Sequence, residues 1–267
     1  MIRRTAGDRF LLITQNDHAI LAGELAGCWG NDQFARPDPW GSTIQGATLH
    51  DCGWPLHDQA PTLNKIGLPL DVFETPREIA LRVWTASVNQ TVGRDAYAGL
   101  LVSLHVLFLS IHAAIADPVD RFEINKFQHL QVELQEKLRR QLGLRADLPL
   151  KLGLAQDPSD KREQWLRLNF RLLQAMDLIS LAMCCTRPPF STTPAVLNQP
   201  DGIPVPLTIS RVDEQTVRVS PWPFDRPHIE LEIPCRSVRA GTFDGDKSFQ
   251  REFAAAPIQK MPQRVMA

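Results

Sequence analysis

The chain is poor in the features that settle a protein's class at once. Its five cysteines, Cys28, Cys52, Cys184, Cys185 and Cys235, are odd in number and contain no CxxC pair. That leaves neither the ligand spacing of a zinc finger nor the disulfide framework of a small secreted domain. Adjacent Cys184 and Cys185 would make a strained pair, so the thiols point to a reducing, intracellular, cytoplasmic setting. Charge of one sign is also missing, since 29 Lys and Arg face 30 Asp and Glu. This balance excludes a broad nucleic-acid footprint, which needs a basic surface, but it is compatible with a small phosphorylated substrate. No apolar run is clean enough for a bilayer. The longest, near residues 98–116, is interrupted by Ser103, His105, Ser110 and His112 and reads as a buried core helix rather than a membrane span. The first residues lack the apolar stretch and small-residue cleavage site of a secretory signal. Glycine-rich dinucleotide loops, Walker-type loops, GxSxG and HExxH are all absent, as are internal repeats and low-complexity segments.

What is present is ordinary in bulk. The 267 residues are 43% hydrophobic and 22% charged, enough for one large domain over 1–267. The stretch that stands out is Leu49-His50-Asp51-Cys52-Gly53-Trp54. A histidine followed by an aspartate pairs a nitrogen with an oxygen ligand, a combination that suits a borderline or hard divalent metal. Two ligands hold a metal poorly, so further donors are expected elsewhere. Candidates are His18, His105 and Asp177, each on a mostly apolar helical face.

The elements fall in a simple order. Residues 1–14 read as a hairpin, with Phe10-Leu11-Leu12-Ile13 as a buried strand. Asn16 or Asp17 caps a helix running to about Trp29, with His18 at the edge of a face carrying Leu21, Ala22 and Leu25. A short helix is expected over 42–51. It is stopped by a left-handed Gly53 that lets the Asp51 carboxylate swing inward. The proline-punctuated segment 55–73 would lie over the site as a lid or wall. Thr75-Pro76-Arg77-Glu78 is a capping box, and helices are expected over 76–90, 95–116, 118–142 and 158–185, the third being the most charged and exposed. Strands follow at 204–209, 216–219 and 229–233, then a short helix over 246–256 and a loose tail over 257–267. The expected fold is α+β. A helical core over 15–187 carries a small antiparallel sheet, built from residues 1–14 and 204–256.

Each candidate has a bland reading beside the chemical one. The helical neighbours of Asp177 are Phe170, Leu173, Ser180, Leu181 and Cys184. A bare carboxylate on such a face costs several kcal/mol unless it is paired with an arginine or bound to a metal. His105, flanked by Leu101, Val102, Phe108 and Leu109, is by itself a satisfied core histidine, and His112 shares its stripe. Gln15 and Asp17 stand beside His18 as partners that could orient the imidazole. Gln15, together with His57 in the loop after the pair, is a candidate substrate contact. His129 reads as solvated and His228 as structural. Cys184 and Cys185 have no base nearby in sequence. Pro221-Trp222-Pro223-Phe224 reads as packing between sheet and helices.

The order His18, His50-Asp51, Asp177 resembles the HD-domain superfamily of metal-dependent phosphohydrolases. The chain also resembles an uncharacterised bacterial family, domain of unknown function 3891. That likeness rests on Ile13-Thr14-Gln15-Asn16-Asp17-His18-Ala19, Leu49-His50-Asp51-Cys52-Gly53-Trp54, Leu101-Val102-Ser103-Leu104-His105, Leu173-Gln174-Ala175-Met176-Asp177 and Pro221-Trp222-Pro223-Phe224. The HD resemblance implies an HD-like bundle with His18, His50, Asp51 and Asp177 as ligands. His105 would hold a second metal or serve as general acid, which makes Asp51 and His105 the catalytic candidates. The cofactor would be one or two divalent ions, Mn, Fe, Co, Zn or Mg, and the substrate a small phosphorylated molecule. A homo-oligomer is compatible with the sequence, whereas nucleic-acid and membrane partners are not expected. Two other readings carry the same residues. A di-iron oxygenase would need six ligands, which His18, His50, Asp51, His105, His112 and Asp177 supply in number. A degenerate, non-catalytic interaction module would fit the lack of Lys or Arg beside the His-Asp pair, where Trp54 stands instead.

Overall fold

The structure, a computed structural model, describes residues 1–116, 121–145, 160–186 and 194–267, with 113–116 as helical backbone only. Strands β1 (Ile2–Ala6) and β2 (Arg9–Ile13) form the N-terminal hairpin around Gly7, whose φ of 60° is a turn conformation that favours glycine. Helices α1 (Gln15–Ala26), α2 (Trp40–Leu49) and the single turn α3 (Pro55–Asp58) follow. Next come α4 (Arg77–Val92), α5 (Ala96–Ala116), α6 (Arg121–Gln141) and α7 (Lys161–Cys184). The C-terminal part holds β3 (Ala195–Leu197), β4 (Pro204–Pro206), β5 (Thr208–Arg211), β6 (Thr216–Ser220), β7 (His228–Arg239), α8 (Asp246–Ala255) and β8 (Ile258–Met266). Among the described residues no helix is long and apolar enough to cross a membrane.

The main sheet has the order β1-β2-β7-β8-β6-β5, and β3 and β4 form a separate two-stranded ribbon. The main sheet is mixed rather than antiparallel, because β8 pairs antiparallel with β7 but parallel with β6. The expected loose tail over 257–267 is therefore an internal strand. Its buried residues are Met261, Gln263 and Val265, alternating with exposed Pro262 and Arg264. A polar residue on the inner face and a proline in the middle hide that period of two.

Packing explains how the helices are placed. On one face of the sheet, Leu21 and Leu25 of α1 and Met176, Ile179 and Met183 of α7 pack against Ile13, Val217, Val219, Ile233 and Val265. On the other, Phe249 and Phe253 of α8 cover Phe10, Leu12 and Val238. Away from the sheet, α5 joins α6 and α7 through Leu100, Leu104, Leu138, Leu166 and Phe170. Val88, Val102, Val106 and Phe127 tie α4 into the same stack. Each fully buried side chain of this size contributes about 2 kcal/mol. The charged helix α6 is not simply solvated. Arg139 forms a buried ion pair with Glu163 at 2.9 Å, and Gln131 and Gln135 hydrogen-bond the Ser103 hydroxyl inside the bundle. Pro221-Trp222-Pro223-Phe224 packs as expected, with Phe224 buried against Trp29.

Candidate metal centre

Four helical regions converge on one buried cluster. His18 lies in the first turn of α1, which starts one residue after its N-cap, Thr14. The Thr14 side chain accepts from Asp17 N at 3.1 Å and donates to its carboxylate at 2.6 Å, so Thr14 rather than Asn16 or Asp17 is the cap. His50 is the residue that ends α2. The α1–α2 crossing is close because Gly23 faces Thr48, where a Cβ would sit 1.9 Å from the Thr48 hydroxyl. Gly53 does not take the left-handed conformation. It is needed because its Cα presses on α4, where a Cβ would meet Val83 O at 2.2 Å. Its N–H donates to Ser87 Oγ, and the turn it makes brings Asp51 inward with the Trp54 indole donating to Asp51 Oδ1 at 3.0 Å. Asp177 comes from the middle of α7 and His105 from α5.

The distances define a donor cage. His18 Nε2 is 3.0 Å from Asp177 Oδ1 and 3.3 Å from His50 Nε2. His50 Nε2 is 3.5 Å from Asp177 Oδ1 and 3.6 Å from Asp51 Oδ2, which lies 3.9 Å from His18 Nε2. Ligands of one divalent ion at bond lengths of about 2.1 Å stand roughly 3.0 to 3.4 Å apart. His105 Nε2 lies 3.6 Å from the other oxygen, Asp177 Oδ2. Two donor triads thus have all their atoms within 4.8 Å of one another, His18–His50–Asp51 and His50–His105–Asp177. The donors are 1% to 8% exposed.

The surrounding hydrogen bonds select the tautomers. His50 Nδ1–H donates to Ala47 O at 2.7 Å, so its Nε2 faces the cage. The Ser180 hydroxyl donates to the backbone oxygen of Asp177 at 2.9 Å and therefore accepts from His18 Nδ1–H at 2.8 Å. Both imidazoles are thus oriented through their outer nitrogens, as metal-binding histidines are. Burial alone would lower the pKa of His50, but the carboxylates of Asp51 and Asp177 carry it up to about 9. Burial raises Asp51 despite His50 and His18. It would raise Asp177 as well, but hydrogen bonds from His18 and His50 hold that carboxyl well below the usual range. The cage therefore demands positive charge, as a proton or as a cation. His105 behaves differently. Its burial lowers it to about 4 against the pull of Asp177, so it is a neutral imidazole, and its Nδ1 has no hydrogen-bond partner.

The cage forms one end of a cavity of about 540 Å³, to which Asp51, His105 and Asp177 contribute. Gln15 also lines it. Its backbone N–H is held by Asp58 and its side-chain Nε2 is buried without a partner, while no hydrogen bond joins it to His18. Arg77, at the start of α4, lines the same cavity. Neither of the other expected contacts is there. His57 does not line the cavity, since its ring nitrogens face Asp58 and Thr62, at 3.4 and 3.2 Å. His112 is exposed, its Nδ1–H donates to Phe108 O at 2.8 Å, and it belongs to neither triad.

Sequence reasoning missed Ser180, Trp54 and Arg77 as members of the site. Ser180 stands three residues after Asp177 on one helical face, a spacing that could have suggested it. Trp54 follows Asp51 at the same interval. Arg77 gave no such signal, being far from the donors in sequence. No curated protein and no solved structure matches the chain. A family model described as "Protein of unknown function (DUF3891)" matches residues 1–240, and the chain belongs to that family.

Proposed function

We propose that the protein is a metal-dependent hydrolase acting on a small phosphorylated substrate, with His18, His50, Asp51 and Asp177 holding a divalent ion. The observation that carries this reading is the mutual spacing of the four donor atoms, five of whose six separations lie between 3.0 and 3.9 Å. A divalent ion held there supplies Lewis acidity, both to acidify water near neutral pH and to polarise a phosphoryl oxygen.

The protein's own groups then have distinct tasks. Ser180 and Ala47 O hold the two imidazoles in ligand orientation, and Trp54 holds Asp51. Asp177 presents Oδ1 to His18 and His50 and Oδ2 to His105, so Asp177 and His105 would hold a second ion if one binds. Being neutral, His105 suits a ligand or hydrogen-bonding role better than that of a general acid. Asp51, with Oδ1 held by Trp54 and Oδ2 turned to the two imidazoles, would serve as a ligand beside any bound water. The unspent amide of Gln15 can bind a substrate oxygen. The di-iron reading loses one of its six ligands because His112 faces away from the cage. A degenerate module is disfavoured because the ligands converge rather than point apart.

Elemental analysis of the purified protein beside a His50→Ala variant tests the site. One or two equivalents of Mn, Fe, Co, Zn or Mg are expected in the parent and a large loss in the variant. Failure of the Mn²⁺- and Co²⁺-loaded protein to release phosphate from any of a broad panel of phosphate esters would count against hydrolase activity.

A further inference from the structure

The cavity beyond the cage has an unusual polarity. Its apolar lining includes Leu81 and Trp84 of α4, Leu109 of α5, Ile124 of α6 and Leu181 of α7. The hydroxyls there are already committed. Thr75 donates to Asp71 O, and Ser110 donates to Leu107 O while accepting from Gln128. Near the cage, by contrast, Gln15 Nε2 and His105 Nδ1 are buried and unpartnered. Apart from Arg77 at the start of α4 and the Trp84 indole N–H, the α4–α5 side of the cavity offers apolar surface. A nucleobase or sugar lodged against Leu81, Leu109 and Ile124 would leave the polar edges facing them without partners. An aryl or alkyl group would suffer no such loss, and an aromatic one could stack on Trp84.

We infer that the cavity takes an amphiphilic monoester, with its anionic head at the cage and Gln15, and an aryl or alkyl body against Leu81, Trp84, Leu109 and Ile124, rather than a nucleotide. This rests on the hydrolase reading for the reaction but not for the binding. Hydrolysis would break the ester P–O bond with water, giving inorganic phosphate and an apolar alcohol or phenol.

Calorimetry on the Mn²⁺-loaded full chain decides it, using two non-hydrolysable probes, 2-naphthylmethylphosphonate and the methylenephosphonate isostere of adenosine monophosphate. The naphthyl probe is expected to bind at least ten-fold more tightly. Leu109→Gln and Leu81→Gln should each erase most of that preference while leaving metal content unchanged, which also reports that the variants fold. Equal or tighter binding of the adenosine probe, or a naphthyl affinity indifferent to both substitutions, overturns the inference. Turnover by the same protein of naphthyl phosphate and adenosine monophosphate separates the two proposals. Tight naphthyl binding without hydrolysis of any ester sinks the hydrolase and keeps the ligand class. Efficient hydrolysis with adenosine monophosphate preferred does the reverse.

Discussion

Ser180 shows how much of the site depends on residues that would never touch the ion. Its hydroxyl is the acceptor for His18 Nδ1–H, and Ser180→Ala removes that acceptor without touching the cage. Metal affinity should fall roughly 10- to 100-fold with the fold retained, as read by competition with a chromogenic chelator. An unchanged affinity would mean that packing alone orients the ring. Gln15 should show the opposite balance between stability and binding. Its amide nitrogen is buried without a partner, so Gln15→Met should stabilise the protein by about 1 kcal/mol while weakening phosphonate binding. Thermal melts and titrations check both halves. His50 gives a pH signature in the chelated protein. Its folded pKa, about 9, lies above the unfolded value near 6.5. Its contribution to stability is therefore fully present below about pH 6.5 and is lost as pH rises through about 9. Melting temperatures of chelated protein should fall between those limits, and the fall should vanish in His50→Ala. At this scale the sequence is informative where chemistry is dense. The H…HD…D order marks His18, His50, Asp51 and Asp177, which do meet, because few other roles place such residues on apolar faces. Ser180 and Trp54 look like ordinary helix or turn residues until the partners they hold are seen.

Individual elements are placed well by periodicity and poorly by their ends. Helix α4 is a case in point. Thr75-Pro76-Arg77-Glu78 has the letters of a capping box, yet Thr75 closes a preceding 3₁₀ turn over Val72–Glu74. The box that exists there joins Asp71 and Glu74, and α4 begins at Arg77. Two overlapping signals compete, and tertiary contact decides between them: Arg3 N donates to the Asp71 carboxylate. The expected helix starts at Pro118 and Pro158 fall outside the described residues. Glycines carry information that a sequence cannot order by importance. Gly53 reads as a turn residue but is required by the close approach of α4, and Gly23 is an unremarkable helical glycine that sets the α1–α2 distance. Gly23→Ala should destabilise the protein by about 1 to 3 kcal/mol and widen the His18–His50 separation. The predicted result is a lower urea midpoint together with weaker metal binding. A variant with both properties unchanged would show that α1 and α2 can part without disturbing the cage.

For the molecule as a whole, the division into a helical part and a β-rich part is legible because the hydrophobic period changes after α7. The sheet's connectivity is not. Strand order depends on which edges find partners, and β8 enters between β7 and β6 with a proline and a glutamine in its pattern. Removing residues 257–267 would strip β6 and β7 of a shared neighbour and should abolish cooperative unfolding, as judged by calorimetry. A sharp transition in that truncation would mean the two halves of the sheet hold without their bridge. A last consequence comes from the distance in sequence between the donors. None of the five cysteines is disulfide-bonded, so the chain has no covalent clasp. His18 and Asp177 nevertheless meet across 159 positions. A cation gripped by both would cinch that span, charging the loop-closure entropy to the unfolded chain as a long-range crosslink does. In this protein the inorganic ion would double as a removable staple, and withdrawing it would loosen the whole architecture along with silencing its chemistry.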